Sequence, residues 1–271
     1  MVTNLAAAQA RQLHTQVSGE VGAPDVVLLH GLFGMGSNLG VVARALCDAY
    51  RVHQVDLPSH GRSPWADSIT IDGLAAAVGD YLRGLGSAPV AVVGHSLGGK
   101  VAMQLALQAP EAVSAIVLAD IAPVVYPGSH GPVFAALRAV ERSAPASRGA
   151  AREGMAAYVD EPEVVQFLLL SLAKGEDGDY HWRFNVDALE RDYDNLLLAP
   201  EGPAPNAVPA LFVYGGASPY VQEEGIAAAR ALFSDASFKV MEGAGHWLHA
   251  EQPTAFNAAV RDFLDRTVPS S

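Results

Sequence analysis

Short apolar runs alternating with longer amphipathic stretches constrain this chain more than any other feature. The runs in its first half are Val26 to Leu29, Val52 to Val55, Val90 to Val93 and Ala115 to Leu118. Helical periodicity occupies Leu39–Ala49, Ile71–Leu85 and Leu97–Gln108 between and after them. A strand inside a parallel sheet is covered on both faces, so it reads as continuously apolar rather than as apolar and polar by turns. Strands of that kind separated by helices predict an α/β fold: a mostly parallel central sheet with helices on both faces. The chain has 271 residues, half of them hydrophobic, enough to fill the core such a sheet requires.

The alternation stops after Asp120. From Ala122 to about Leu198 the pattern predicts several helices and no clear buried strand, punctuated by Pro123, Pro127, Pro132, Pro145 and Pro162. A proline-rich connector follows at Pro200–Pro209, and strand-like runs return at Ala210–Tyr214 and Ser237–Met241 before a last helix at Thr254–Arg266. The expected organisation is a core of residues 1–121 and 199–271, interrupted by a helical cap of residues 122–198 over the sheet's carboxyl edge. The plainer alternative is that the insertion only extends the core.

Charge and composition exclude several classes of partner. Seventeen Lys and Arg against 29 Asp and Glu leave a net charge of −12, the wrong sign for nucleic acid or an anionic membrane. The single cysteine, Cys47, excludes an internal disulfide and a cysteine-based zinc cluster. The longest apolar run, Val164 to Ala173, contains Gln166 and Ser171 and falls short of the ~18 residues a spanning helix needs. Met1–Ala10 lacks the basic start and apolar segment of a signal peptide, so a cytoplasmic protein is expected. Oligomeric state is left open.

Three segments carry chemistry. Val90–Gly99 contains Gly94-His95-Ser96-Leu97-Gly98, a G-x-S-x-G motif between an apolar run and an amphipathic helix. Gly94 and Gly98 permit a tight strand-to-helix turn that exposes Ser96 as a nucleophile, with the helix N-terminus supplying free N–H groups. The second segment is His30-Gly31-Leu32-Phe33-Gly34, after the first apolar run. Acyl transfer needs two N–H groups aimed at the tetrahedral oxygen. Leu97 is expected to supply one and Leu32 the other, with Phe33 the alternative to Leu32, while His30 reads as an anchor of the loop. The third is Gly245-His246-Trp247, a glycine-flanked loop able to bring a general base to Ser96. His53, His60 and His249 compete with His246 for that role.

Together these segments resemble the α/β-hydrolase superfamily over nearly the whole chain. Leu13–Gly19 is similar to an early strand of that fold, and Asp56 to Ser63 matches its D-x-x-x-x-G-x-S loop. Within the superfamily the chain resembles the YbfF-like bacterial esterases. The likeness rests on His30–Gly34, Asp120-Ile-Ala-Pro123, Gly215–Val221 and Gly245–Glu251. In the superfamily an acid usually follows the strand corresponding to Ala210–Tyr214, but Ser218 stands at that place. Either the site is a Ser–His dyad or the acid comes from elsewhere. Asp120 follows the Ala115–Ala119 run, beside the strand of Ser96, and strand carboxyl ends are where open parallel sheets gather functional groups. The resemblance implies the same acid position, since these esterases draw their acid from the earlier strand.

Tyr220, Tyr126 and Arg138 are candidate substrate contacts, Arg138 for an anionic or polar end. Asp177, Asp179, Asp187 and Asp192 are expected to face solvent. H-E-x-x-H, Walker A and G-x-G-x-x-G sequences are absent, so neither metal nor cofactor is expected. The predicted function is a serine carboxylic-ester hydrolase of short to medium acyl esters, with acyl-CoA thioesters open to the same route. C–C bond hydrolysis or a lyase step on the same scaffold, and a non-enzymatic ligand receptor, are the alternatives.

Overall fold

The computed structural model describes residues 12–86 and 89–268. The Met1–Ala10 segment weighed above lies outside the described residues. Strands β1 (Thr15–Ser18), β2 (Asp25–Leu29), β3 (Arg51–Val55), β4 (Val90–His95) and β5 (Val113–Ala119) account for the first half of the chain. After β6 (Leu172–Lys174) and β7 (Tyr180–Trp182), the strands β8 (Ala210–Gly215) and β9 (Ala236–Met241) complete the set. Seven of them form one sheet in the order β1-β3-β2-β4-β5-β8-β9. Only β1 runs antiparallel to its neighbour; the remaining pairs are parallel.

Side chains alternate across this sheet into two cores. Val27, Leu29, Val92, Ile116 and Leu118 enter one; Val26, Leu28, Val93, Ala115 and Val117 enter the other. Both faces are filled, which is why the central strands have no polar alternation. Helix α1 (Gly40–Leu46) covers the second core, α2 (Ile71–Leu85) and α3 (Leu97–Gln108) the first. The helix expected over Leu39–Ala49 is shorter at its end and opens with a 3-10 turn over Gly36–Leu39, where Met35 N–H donates to Asn38 Oδ1 at 2.6 Å. It stops at Leu46 because the chain turns at once, Tyr50 burying its ring, to enter β3.

Residues between β5 and β8 hold α4 (Gly131–Ser143), α5 (Arg148–Met155), α6 (Pro162–Leu170), α7 (Val186–Arg191) and α8 (Tyr193–Leu197). They also hold the antiparallel pair β6–β7, with Leu172 opposite Trp182, two short strands beside the expected helices, each with a single buried residue. Three-residue strands are too short to display a period of two in the sequence. Phe134, Leu137, Met155, Leu168 and Phe184 bury themselves continuously with the first core, so the insertion has no separate hydrophobic centre. After β8 come α9 (Glu223–Leu232), α10 (Leu248–Glu251) and α11 (Pro253–Thr267), the last two packing on the second core.

Strand order determines where a site can form. From β2 the chain moves one way to β3 and then returns to place β4 on the other side of β2. At such a reversal the connections diverge and leave a crevice at the strands' carboxyl ends. The insertion lies over this crevice. Two backbone donors cross between it and the segment after β3: Asn185 N–H donates to Ser59 O at 2.9 Å, and Ile69 N–H to Asp192 Oδ2 at 2.7 Å.

Candidate active site

Five strands deliver the site's groups. His30–Gly34 follows β2, Ser96 follows β4, Asp120 follows β5, Ser218 lies just beyond β8 and His246 beyond β9. Ser96 occupies the turn between β4 and α3 with φ 51° and ψ −116°, a left-handed conformation that costs a non-glycine residue of order 1–3 kcal/mol. The turn needs glycine on either side. A Cβ on Gly94 would stand 2.2 Å from Gly98 O, and one on Gly98 would stand 2.2 Å from Leu29 O. Ser96 N–H donates to Ala119 O at 3.0 Å, tying the turn to the neighbouring strand.

Asp120 is wholly buried and, like Ser96, has a positive φ of 52°. Its Oδ1 accepts from Gly215 N–H at 3.0 Å. Its Oδ2 accepts from Ser218 Oγ at 2.5 Å and from His246 Nδ1 at 2.7 Å. The residue at the superfamily's usual acid place therefore donates to the carboxylate that reaches the histidine. With Nδ1 engaged, Nε2 is the nitrogen of His246 left to meet a proton from another group. The Tyr220 ring stacks on the imidazole, centroids 4.1 Å apart and planes 19° apart. His95 Nε2–H donates to His246 O at 2.9 Å, so the residue beside Ser96 holds the loop that carries the histidine. Burial drives the His95 pKa well below its ordinary value and keeps the ring neutral.

The loop after β2 is held by two more neutral histidines. His30 Nδ1–H donates to Gly31 O at 2.8 Å while its Nε2 accepts from Leu57 N–H at 3.0 Å. His60 Nδ1–H donates to Pro58 O at 3.0 Å while its Nε2 accepts from Phe33 N–H at 3.3 Å. Desolvation lowers them to about 4 and about 3. Since the Phe33 amide already has an acceptor, Leu32 is left as the loop's candidate donor. Leu97 opens α3, so its amide is among those a helix leaves without an internal acceptor.

A cavity of about 830 Å³ lies over these groups, with Leu32, Ser96, Leu97 and His246 all on its wall. Val133, Val159, Val164, Phe167 and Leu168 from the insertion give it an apolar side. Asp160, Glu161 and Glu163 border it where they remain exposed to solvent. This volume is within the usual range for small-molecule sites.

A family model described as "Alpha/beta hydrolase family" matches residues 26–259. The chain belongs to the alpha/beta hydrolase family. Esterase YbfF of Escherichia coli (strain K12) is 40% identical over 241 residues, 89% of this chain and 92% of that protein. The sn-1-specific diacylglycerol lipase ABHD11 of Mus musculus is 38% identical over 256 residues, covering 92% of this chain and 83% of the relative. A solved marine microorganism esterase superposes with a TM-score of 0.90 at 34% identity, covering 93% of this chain and 99% of the other.

In this alpha/beta hydrolase the predicted site residues converge, with one exception. Arg138 does not line the cavity. Its guanidinium meets Glu141 at 3.0 Å, Asp187 at 2.6 Å and Glu190 at 2.7 Å, so its charge serves the outer face of the insertion rather than a substrate. Tyr126 does border the cavity, but its hydroxyl donates to Tyr220 O at 2.7 Å and accepts from Ala122 N–H at 2.9 Å. It offers a ring, not a hydrogen bond. Sequence reasoning missed the anchoring role of His95 and the engagement of His60 with Phe33. The partners are separated by 151 and 27 positions, and no local pattern links them. Among the described residues no group of three or more His, Cys, Asp or Glu is arranged to hold a metal, and no helix is long and apolar enough to cross a membrane.

Proposed function

We propose that the chain is a serine hydrolase of uncharged carboxylic esters with short to medium acyl groups, working through an acyl-enzyme on Ser96. The reaction class is that of its esterase and lipase relatives, 34–40% identical. The observation carrying the mechanism is the 2.7 Å contact of His246 Nδ1 with buried Asp120, at the wall of a cavity that Ser96 shares. His246 Nε2 takes the Ser96 hydroxyl proton as Oγ adds to the acyl carbon. The resulting alkoxide sits between the Leu32 and Leu97 N–H groups, a pair of donors that needs no reorientation as charge develops. Collapse of the adduct expels the alcohol, which takes its proton from His246. Water then repeats the sequence on the acyl-enzyme. Asp120 orients the ring and stabilises the imidazolium, making the set a Ser–His–Asp triad rather than a dyad.

Residues 122–198 serve as the cap, their apolar wall receiving the acyl chain and Tyr220 flanking the reacting carbonyl. Exposed Asp160, Glu161 and Glu163 would repel the phosphate groups of a coenzyme A thioester, which favours uncharged esters. Ser96→Ala is the test. It should abolish hydrolysis of p-nitrophenyl butyrate, and a fluorophosphonate should phosphonylate Ser96 Oγ in the native chain only, the P–F bond breaking and the hydroxyl proton leaving with fluoride, so that the added mass is that of the phosphonyl group. Turnover by Ser96→Ala close to the native rate would overturn the proposal.

A further inference from the structure

We infer that Ser171, at the end of α6 in the insertion, is a positioning residue for the Leu32 amide, so that docking of the insertion organises the oxyanion site. This rests on the reading of Leu32 as an oxyanion donor. The connection runs through two peptide units. In a trans peptide the C=O and the following N–H point in opposite directions, so anchoring one aims the other. Ser171 Oγ, buried, donates to Phe33 O at 2.8 Å across 138 positions of sequence. The N–H of that same peptide unit belongs to Gly34 and donates to Gly31 O at 3.1 Å. Gly31 O, which also accepts from His30 Nδ1–H at 2.8 Å, shares its peptide unit with the Leu32 N–H, so the two donors together direct that amide away from Gly34. Ser171 holds the first plane, the first plane holds the second, and the second presents the donor.

Phe33 itself needs such support. Its φ of 63° is a left-handed value that a bulky residue adopts only where its surroundings impose it. The insertion provides much of that constraint. Besides Ser171, the rings of Phe134 and Phe184 pack on Phe33, each with its centroid 5.3 Å away. His60, which accepts the Phe33 N–H, is bridged through its own backbone to Phe184. Arg183 N–H donates to Ser171 O at 2.8 Å, fixing the serine within the insertion. Ser171 does not line the cavity, so its influence on substrate passes through the loop.

Ser171→Ala tests the idea. Deleting an oxyanion donor outright typically costs ~10²–10³ in rate, and a donor displaced rather than deleted should cost about tenfold in kcat. KM for p-nitrophenyl butyrate should stay within about twofold, because the cavity wall is unchanged. A trifluoromethyl ketone gives a second reading. Ser96 Oγ adds to its carbonyl carbon, the hydroxyl proton passes to His246, and the alkoxide occupies the oxyanion site. Its inhibition constant should weaken about as much as kcat falls, whereas a non-electrophilic alcohol of the same shape should bind as before. Ser171→Cys, with near-equal volume and a weak donor, carries the same measurements should the alanine variant fail to fold. Unchanged kcat overturns the inference, as does a rise in KM alone or equal weakening of ketone and alcohol. If Ser96→Ala is inactive and Ser171→Ala is normal, only this inference fails; an active Ser96→Ala removes the functional reading beneath it.

Discussion

Two residues with positive φ, Ser96 and Asp120, stand at the ends of adjacent strands and carry the nucleophile and acid of the proposed mechanism. Ser218 then has a definite task. Its hydroxyl occupies one lone pair of Asp120 Oδ2 while Gly215 N–H occupies Oδ1, so the carboxylate presents its remaining direction to His246. Asp120→Asn should lower kcat by about 10³–10⁴, since an amide cannot stabilise the imidazolium and can favour the wrong tautomer. Ser218→Ala removes one neutral donor and should cost less than about tenfold, because Gly215 and His246 still hold the carboxylate. Steady-state hydrolysis by the two variants checks this; equal losses would move the acid function to the loop after β8 or leave a dyad.

Among elements, the joint between α3 and α8 couples core and insertion most directly. Lys100 projects from α3 and its ammonium donates to Leu196 O at 3.3 Å, Leu197 O at 2.7 Å and Leu198 O at 2.6 Å. Carbonyls at a helix C-terminus have no internal donor, and a cation there meets both their hydrogen-bonding need and the negative end of the helix dipole. Nζ also lies 4.8 Å from the centre of the Tyr126 ring. Lys100→Met fills similar volume but leaves three carbonyls without this partner. Desolvation lowers the Lys100 pKa to about 7, so below that pH, where the group is charged, the expected loss is about 2–3 kcal/mol of unfolding free energy, the scale for hydrogen bonds to a charged group, measured by urea titration at pH 6. An unchanged midpoint would show that the Lys100 contacts add nothing to the stability of this joint.

Across the whole molecule, histidines kept neutral by burial set the response to acid. Desolvation lowers His30 from 6.5 to about 4, His60 to about 3, and His130 and His249 to about 4. Below 6.5 the unfolded chain takes up protons at these positions and the folded chain does not, so unfolding gains proton binding. Their stabilising effect is complete above that pH and is lost as pH falls toward the folded values. The urea midpoint should therefore decline steadily from 6.5 to about 5, a range in which ordinary carboxylates remain ionised. A flat midpoint over that interval would mean that these rings accept protons in place. For His60 the consequence reaches the site, since a protonated Nε2 can no longer accept the Phe33 amide.

Most of the architecture was legible in the chain itself. Burial on both faces leaves continuous apolar runs, and β2, β4 and β5 were found from that alone. The Ser96 turn was legible because its geometry demands glycine at fixed offsets, a local requirement that local sequence must meet. The β6–β7 pair was not, being shorter than the period that would reveal it. Arg138 was misplaced because its carboxylate partners Asp187 and Glu190 lie on another helix, and nothing near it in sequence marks their approach. The same limit separates the remaining contacts. Sequence by itself determined the central strands, the helices between them and the Ser96 turn, because each depends on residues a few positions apart. The contact of Asp120 with His246, the engagement of the Phe33 amide by His60 and the reach of Ser171 to the loop after β2 came only with tertiary structure. Hydrogen bonds between residues 27 to 138 positions apart exist only once strand order has brought their loops to one edge.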